Sequence, residues 1–226
     1  MMTAASVTQL PSSQPAFKRR GLMLILASPP GGGKTTITRE MMRLDPQTTI
    51  SVSATTRAKR PGEVEGQHYY FVSREKFQEM VAAGEMLEHA LVYNNNYYGT
   101  PKAPVEKALA SGKDVLFDID WQGCRRLTEI AKNDVVSVFL LPPSWADLEA
   151  RLHARAQDSE EEIARRLGMA RDEISHYKEF QYVVVNNDLG ESIKQVQGIL
   201  DAERTKCQRL LDVQAFVDTL KPSADK

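Results

Sequence analysis

Three features of the sequence predict an α/β fold built on a doubly wound parallel sheet. Short, nearly unbroken apolar runs recur at residues 22–27, 114–120, 135–141 and 181–185, as expected of strands buried on both faces. Helical stretches alternate with these runs, the order that produces a sheet with helices packed on either side. The first run leads straight into Ser28-Pro29-Pro30-Gly31-Gly32-Gly33-Lys34-Thr35-Thr36. A strand, a glycine loop and a helix opening on Lys-Thr form the P-loop arrangement, so the sheet is expected to be of the P-loop NTPase type.

In such a loop the glycines let successive backbone N–H groups turn toward one point. The helix N-terminus adds unsatisfied donors and the positive end of its dipole. Lys34 is placed to reach the β- and γ-phosphates of ATP, and the Thr35 hydroxyl to ligate Mg²⁺. Ser28, Pro29, Pro30, Gly31, Gly32, Gly33, Lys34, Thr35 and Thr36 are therefore the candidate ATP-binding residues. Ser28 stands where the pattern G-x-x-x-x-G-K-[ST] has its first glycine, and Pro30 is stiffer than usual. The first turn of the loop is expected to differ while Gly31, Gly33, Lys34 and Thr35 stay in register.

The helix continues over 37–44 and ends near Asp45-Pro46, and β-branched residues over 48–52 read as a second strand. Residues 53–66 are polar, basic and turn-rich, too irregular for a core element. A short strand over 68–72 follows, then a helix capped by Ser73, running to about Ala83 and stopped by Gly84. Extended pieces over 85–93 and 97–100 flank Asn94-Asn95-Asn96, a turn composition. Pro101 opens a helix that stops at Ser111-Gly112. Residues 53–100 thus read as an α+β insertion between two parts of the sheet.

The strand over 114–120 ends in Asp118 and Asp120, and a helix over 121–131 leads to the strand over 135–141. Ser144 caps the next helix, and a break at 156–159 divides the charge-dense stretch 151–166 into two helices meeting at a mobile elbow. After the last strand the chain reads as helical to about Leu220. Its apolar residues recur at three- and four-residue steps with one turn missing, which suits packing on the domain and leaves a short coiled-coil contact with another subunit open.

The expected organisation is a disordered tail over 1–20, one domain over 21–200, and a helical extension and tail over 201–226. Within the domain the core is 21–52, 101–142 and 168–200, the insertion 53–100 and a helical lid 143–167. With 226 residues and a formal net charge of −1, nothing points to nucleic acid or an anionic membrane as a bulk electrostatic partner. No apolar run approaches transmembrane length. Cys124 and Cys207 match no metal or redox spacing and suit a cytoplasmic protein with reduced thiols.

Ligands of open parallel sheets bind beyond the carboxyl ends of the strands, where the P-loop, Asp118 with Asp120, and the basic loop after residue 52 should converge. Asp118 suits orientation of Mg²⁺ or its waters beside Thr35. Arg57 and Arg60 suit capture of a second phosphate. Arg155, Arg165 and Arg166, at the elbow, could bring charge to a transferring phosphoryl group when a lid closes.

Five further stretches carry a resemblance: 53–63, Tyr97-Tyr98-Gly99-Thr100, Asp118-Ile119-Asp120-Trp121-Gln122-Gly123, Gln157-Asp158-Ser159-Glu160 and Val183-Val184-Val185-Asn186. With the P-loop, in this order and spacing, the chain resembles guanylate kinases over roughly residues 22–200. The resemblance implies ATP + GMP ⇌ ADP + GDP with Mg²⁺, and identifies the insertion as the subdomain that binds the nucleoside monophosphate. It assigns the GMP phosphate to Arg57, Arg60, Tyr69 and Tyr98, and guanine to Ser53, Glu88, Thr100 and Asp120. Guanine offers donors at N1 and N2 and an acceptor at O6, so carboxylates and a hydroxyl are its natural readers. Such a site can reject adenine by roughly 10⁴ or more. Lys34, Arg57, Arg155 and Arg166 become the expected catalytic residues, with Arg151 a third lid arginine and Asn186 near the adenine. Ala154-Arg155-Ala156 replaces the family's usual Gly-Arg-Gly, so the elbow is less permissive. The implied partners are ATP, GMP, ADP and GDP, and the sequence leaves room for a homo-oligomer.

Overall fold

The computed structural model describes residues 17–92, 96–154 and 159–220. A five-stranded sheet has the order β2-β7-β1-β8-β9. Its strands are β1 (Met23–Ala27), β2 (Thr48–Ile50), β7 (Asp114–Asp118), β8 (Val135–Leu141) and β9 (Tyr182–Val185), all paired in parallel. Central β1 explains the unbroken apolar run. Leu22, Leu24 and Leu26 face one core layer with Ile37, Met41, Val196 and Leu200, while Met23, Ile25 and Ala27 face another with Leu109, Phe117 and Leu127.

The helices of the first layer are α1 (Lys34–Leu44) and α7 (Leu189–Arg204); those of the second are α3 (Lys102–Ala110) and α4 (Trp121–Ala131). Side-chain caps start several helices where the sequence placed them. Ser73 accepts from the Lys76 backbone N–H to open α2 (Arg74–Ala82), and Ser144 from that of Asp147 to open α5 (Trp145–His153). Ser159 does the same for α6 (Glu160–Ser175). This helix runs unbroken past residue 167, so lid and core share one rigid element where the sequence suggested a boundary.

The insertion forms a four-stranded sheet in the order β4-β3-β6-β5. Its strands are β3 (Ala54–Thr55), β4 (Tyr70–Phe71), β5 (Met86–Val92) and β6 (Asn96–Pro101). One expectation fails here. The polar stretch after residue 52 contains β3, an interior strand whose Ala54 and Thr55 are fully buried. A two-residue strand is too short to leave a periodic signature. It is held by its neighbours: Thr55 Oγ1 donates to the Tyr97 carbonyl, and the Tyr97 N–H donates to Thr56 Oγ1.

The end of the chain also differs from one continuous helix. Helix α7 stops at Arg204, a 3₁₀ turn spans Cys207–Arg209, and α8 (Val213–Leu220) is separate. Between them the backbone pairs with residues 18–20: Arg20 N–H donates to Arg209 O, and Leu211 N–H to Lys18 O. The missing apolar turn is where Glu203, 1% exposed, meets Tyr182 Oη at 2.6 Å and Lys206 Nζ at 2.6 Å. Residues 18–20 are accordingly docked rather than part of a disordered tail. Arg19 pairs with Asp114, and Arg20 with Asp134 and Glu106.

Candidate active site

The P-loop follows β1 at the carboxyl edge of the sheet. Gly31 and Gly33 have φ of 86° and 96°, conformations that L side chains rarely adopt. A Cβ on Gly33 would also come within 2.2 Å of Asn186 Nδ2. Gly33 caps α1 without any side-chain bond, so the first-turn N–H groups stay turned toward the loop's cavity. Ser28, at the departing first position, bonds the Pro29 carbonyl, and Gly32 N–H donates to the same oxygen at 2.8 Å. The loop's tight turn is thus made without the first glycine.

Residues 28–35 line a cavity of about 310 Å³ together with Asp118, Asp120 and Glu173. Lys34 Nζ crosses it, 2.5 Å from Asp118 and 3.2 Å from the Ile119 carbonyl. Thr35 and Thr36 are exposed at the start of α1. Asn186, nearly buried, reaches the loop from behind: Nδ2 donates to the Gly32 carbonyl at 2.9 Å, and Oδ1 accepts from Ser192 Oγ at 3.0 Å. It also borders a neighbouring cavity with Gly31, Thr36 and Arg151, and Arg151 donates to its backbone carbonyl.

A second cavity, of about 420 Å³, lies between the insertion and the same sheet edge. Ser53, Tyr69, Glu88, Tyr98, Asp118 and Asp120 all line it, although they come from five separate stretches of chain. Both volumes fall in the range of small-molecule sites, roughly 300–1,000 Å³. Asp118 and Asp120 border both cavities, so the two chambers meet at the carboxylate pair. Asp120 also caps α4 through the Gly123 N–H at 2.8 Å, which fixes its orientation.

Thr100 stands just behind this wall, fully buried, and donates its hydroxyl proton to Glu88 at 2.9 Å. Ser53 lines the cavity where Thr100 does not, beside Tyr69 and Tyr98. Arg57 lies at the rim, 5.4 Å above the Tyr69 ring, and grips Glu63 with two bonds of 2.7 and 3.1 Å. Arg57, aided by the Arg60 backbone N–H, holds the Glu63 carboxyl down at about 2. Arg60 itself is exposed beyond the rim. Arg166 pairs with Glu162 on α6 at 3.0 Å. Arg155 lies outside the described residues.

Sequence reasoning missed two charged residues here. Glu173 borders the P-loop cavity, and burial pushes its carboxyl up to about 7 against the opposing pull of Lys34. It stands seven residues beyond Arg166 on α6, on the same face, a periodicity that could have suggested it. Arg126 lines the second cavity one turn after Gln122, which also lines it; their i, i+4 spacing was the available signal.

A P-loop at the end of the central strand, joined to a second polar chamber on an inserted sheet, makes this a P-loop phosphotransferase fold with two cavities at one sheet edge. Comparison with known proteins narrows that class. The family model described as guanylate kinase matches residues 20–203. The chain is 55% identical over 207 residues to the guanylate kinase of Paramagnetospirillum magneticum, covering 92% of this chain and 96% of that one. It is 51% identical over 216 residues to the guanylate kinase of Rhodospirillum rubrum, covering 95% and 99%. The crystal structure of guanylate kinase from Anaplasma phagocytophilum superposes with a TM-score of 0.74 at 36% identity, covering 93% of this chain and all of that one. The chain belongs to the guanylate kinase family.

Proposed function

We propose that this protein transfers the γ-phosphoryl group of ATP to GMP, reversibly and with Mg²⁺, giving ADP and GDP. The observation that carries the reading is the pair of cavities sharing Asp118 and Asp120, one walled by P-loop backbone and the other by carboxylates, tyrosines and a serine. The first suits a triphosphate. The second suits guanine, whose N1–H and amino group need acceptors such as Glu88 and Asp120 and whose O6 needs a donor such as Ser53.

The donor set fits a hard cation. Thr35 and Asp118 offer oxygens in the P-loop cavity. That is the arrangement for Mg²⁺, which takes one or two protein ligands and completes its shell with phosphates and water. When bound, the ion would neutralise phosphate charge. Lys34 then turns from Asp118 to the β- and γ-phosphates. Arg57, with Arg60, Tyr69 and Tyr98 beside it, exchanges Glu63 for the GMP phosphate. Arg166 and Arg155 add charge from the lid. The acceptor needs no general base, because a phosphate monoester with a second pKa near ~6 is mostly dianionic at neutral pH. Positioning and charge compensation carry the reaction. Asn186 serves the ATP side by holding the Gly32 carbonyl.

The partners in this reading are nucleotides. Free Cys124 and Cys207 suit a cytoplasmic setting. The test is ADP formation from ATP and Mg²⁺ with GMP, AMP, CMP or UMP as acceptor. Turnover confined to GMP is expected. A folded sample that binds GMP yet turns over no acceptor would make the chain a binding module and end the kinase reading.

A further inference from the structure

Glu88 is the carboxylate most deeply set in the guanine-side cavity, its side chain 8% exposed. Oε1 accepts from Thr100 at 2.9 Å. Oε2 faces Arg126 Nη2 at 3.7 Å, an ion-pair distance longer than a hydrogen bond. Arg126 projects from α4 into the same cavity, and its Nε is buried with no hydrogen-bond partner among the described residues. A buried, unmatched donor beside a nearly buried carboxylate is costly unless an incoming group completes the arrangement.

We infer that Arg126 is a positioning residue for base selection, its guanidinium holding Glu88 as a charged acceptor turned toward the N1–H and 2-amino group of guanine. The inference rests on the GMP kinase reading and extends it to a residue outside that reading's contacts. Two opposing influences make it necessary. Burial pushes the Glu88 carboxyl above its ordinary range, and nearby Asp120 adds to that push. Thr100 on β6, Arg126 on α4 and His89 on β5 pull it back. Of these, Arg126 alone brings a permanent positive charge.

A protonated Glu88 would present an O–H where guanine presents N–H, so the base would lose acceptors it needs. The sign follows directly. As pH falls, Glu88 neutralises earlier than an ordinary glutamate, and GMP binding weakens. Without the guanidinium that weakening begins at higher pH.

The experiment compares wild type, Arg126→Gln and Arg126→Lys, with steady-state kinetics for GMP and IMP at saturating ATP and Mg²⁺ from weakly acid to weakly alkaline pH. IMP lacks the 2-amino group. For Arg126→Gln the expected result is a KM for GMP about tenfold higher at the acid end, converging toward wild type at the alkaline end. The kcat should change little, and the preference for GMP over IMP should shrink at the acid end by less than the change in KM for GMP, because IMP shares the N1–H. Arg126→Lys keeps the charge and should restore most of the GMP affinity. A KM for GMP that is unchanged in Arg126→Gln overturns the inference. So does one raised equally at every pH and shared by Arg126→Lys, which would mark a packing role. Wild-type enzyme that phosphorylates no GMP would instead overturn the kinase reading itself, and the inference with it.

Discussion

Lys34 stands 2.5 Å from Asp118 and donates to the Ile119 carbonyl, so its charge is already matched before any phosphate arrives. Both partners lie at the end of β7, and in the proposed reaction the lysine has only to swing from carboxylate to phosphate. Lys34→Ala should abolish phosphoryl transfer while GMP still binds at its own cavity; calorimetric loss of GMP binding would contradict this division of labour. Glu173 makes a second residue-level prediction. Its carboxyl, held at about 7 by burial, is neutral at lower pH and anionic above. Rising pH therefore adds negative charge to the cavity expected to hold the triphosphate. Binding of metal-free ATP should weaken from weakly acid to weakly alkaline pH, and Glu173→Gln should remove that part of the trend. Whatever trend both proteins share belongs to the nucleotide, and identical trends would exclude Glu173.

At the scale of elements, the loop between β1 and α1 depends on backbone shape more than on side chains. Gly33 combines a φ of 96° with a position where a Cβ would meet Asn186 at 2.2 Å. Gly33→Ala should cost about 1–3 kcal/mol of stability through strain. By displacing Asn186 and the N–H groups of the first turn, it should also weaken ATP binding roughly tenfold or more. An alanine variant with wild-type ATP affinity would show that the loop is adaptable. Helix α6 is the other decisive element. Its acidic first turn holds Arg165 and Arg166 through Glu162, whose carboxyl those two arginines bring down to about 2. The same helix carries Glu173 to the P-loop cavity, so the lid arm and that cavity share one element.

For the whole molecule, the two ends of the domain are fastened at the sheet edge opposite the cavities. Asp114, fully buried at the start of β7, receives Arg19 at 2.6 Å and Arg204 at 2.7 Å, and accepts the Leu22 N–H at 3.0 Å. Arg204 also reaches Asp45 at the end of α1. Removing one member of such a buried network leaves the others uncompensated. Asp114→Ala should lower stability by about 3–5 kcal/mol, a fall in Tm on the order of 10 °C for a chain this long. Activity of the still-folded fraction should persist, since the network is remote from both cavities. A denaturation midpoint matching wild type would show the clasp to be dispensable.

Much of the site was legible because its parts are local. The strand, glycine loop and lysine of 22–36, the acidic end of β7 and the capping serines 73 and 144 are set by neighbours in sequence, whose propensities and spacing act over a few residues. The stretches that carry the family resemblance lie in order along the chain. What needed the tertiary structure was everything settled by distant contact. Strand β3 exists because β4 and β6 flank it. Thr100 spends its proton on Glu88 rather than on a ligand. Asn186 braces a loop 154 residues away. The helical tail breaks because residues 18–20 pair with its backbone. Arg126 on α4 faces a carboxylate on β5, and no one-dimensional pattern names that partner. Local chemistry determined which groups the chain possesses; only packing decided which of them meet, because burial and charge pairing are properties of surroundings that the chain assembles when it folds.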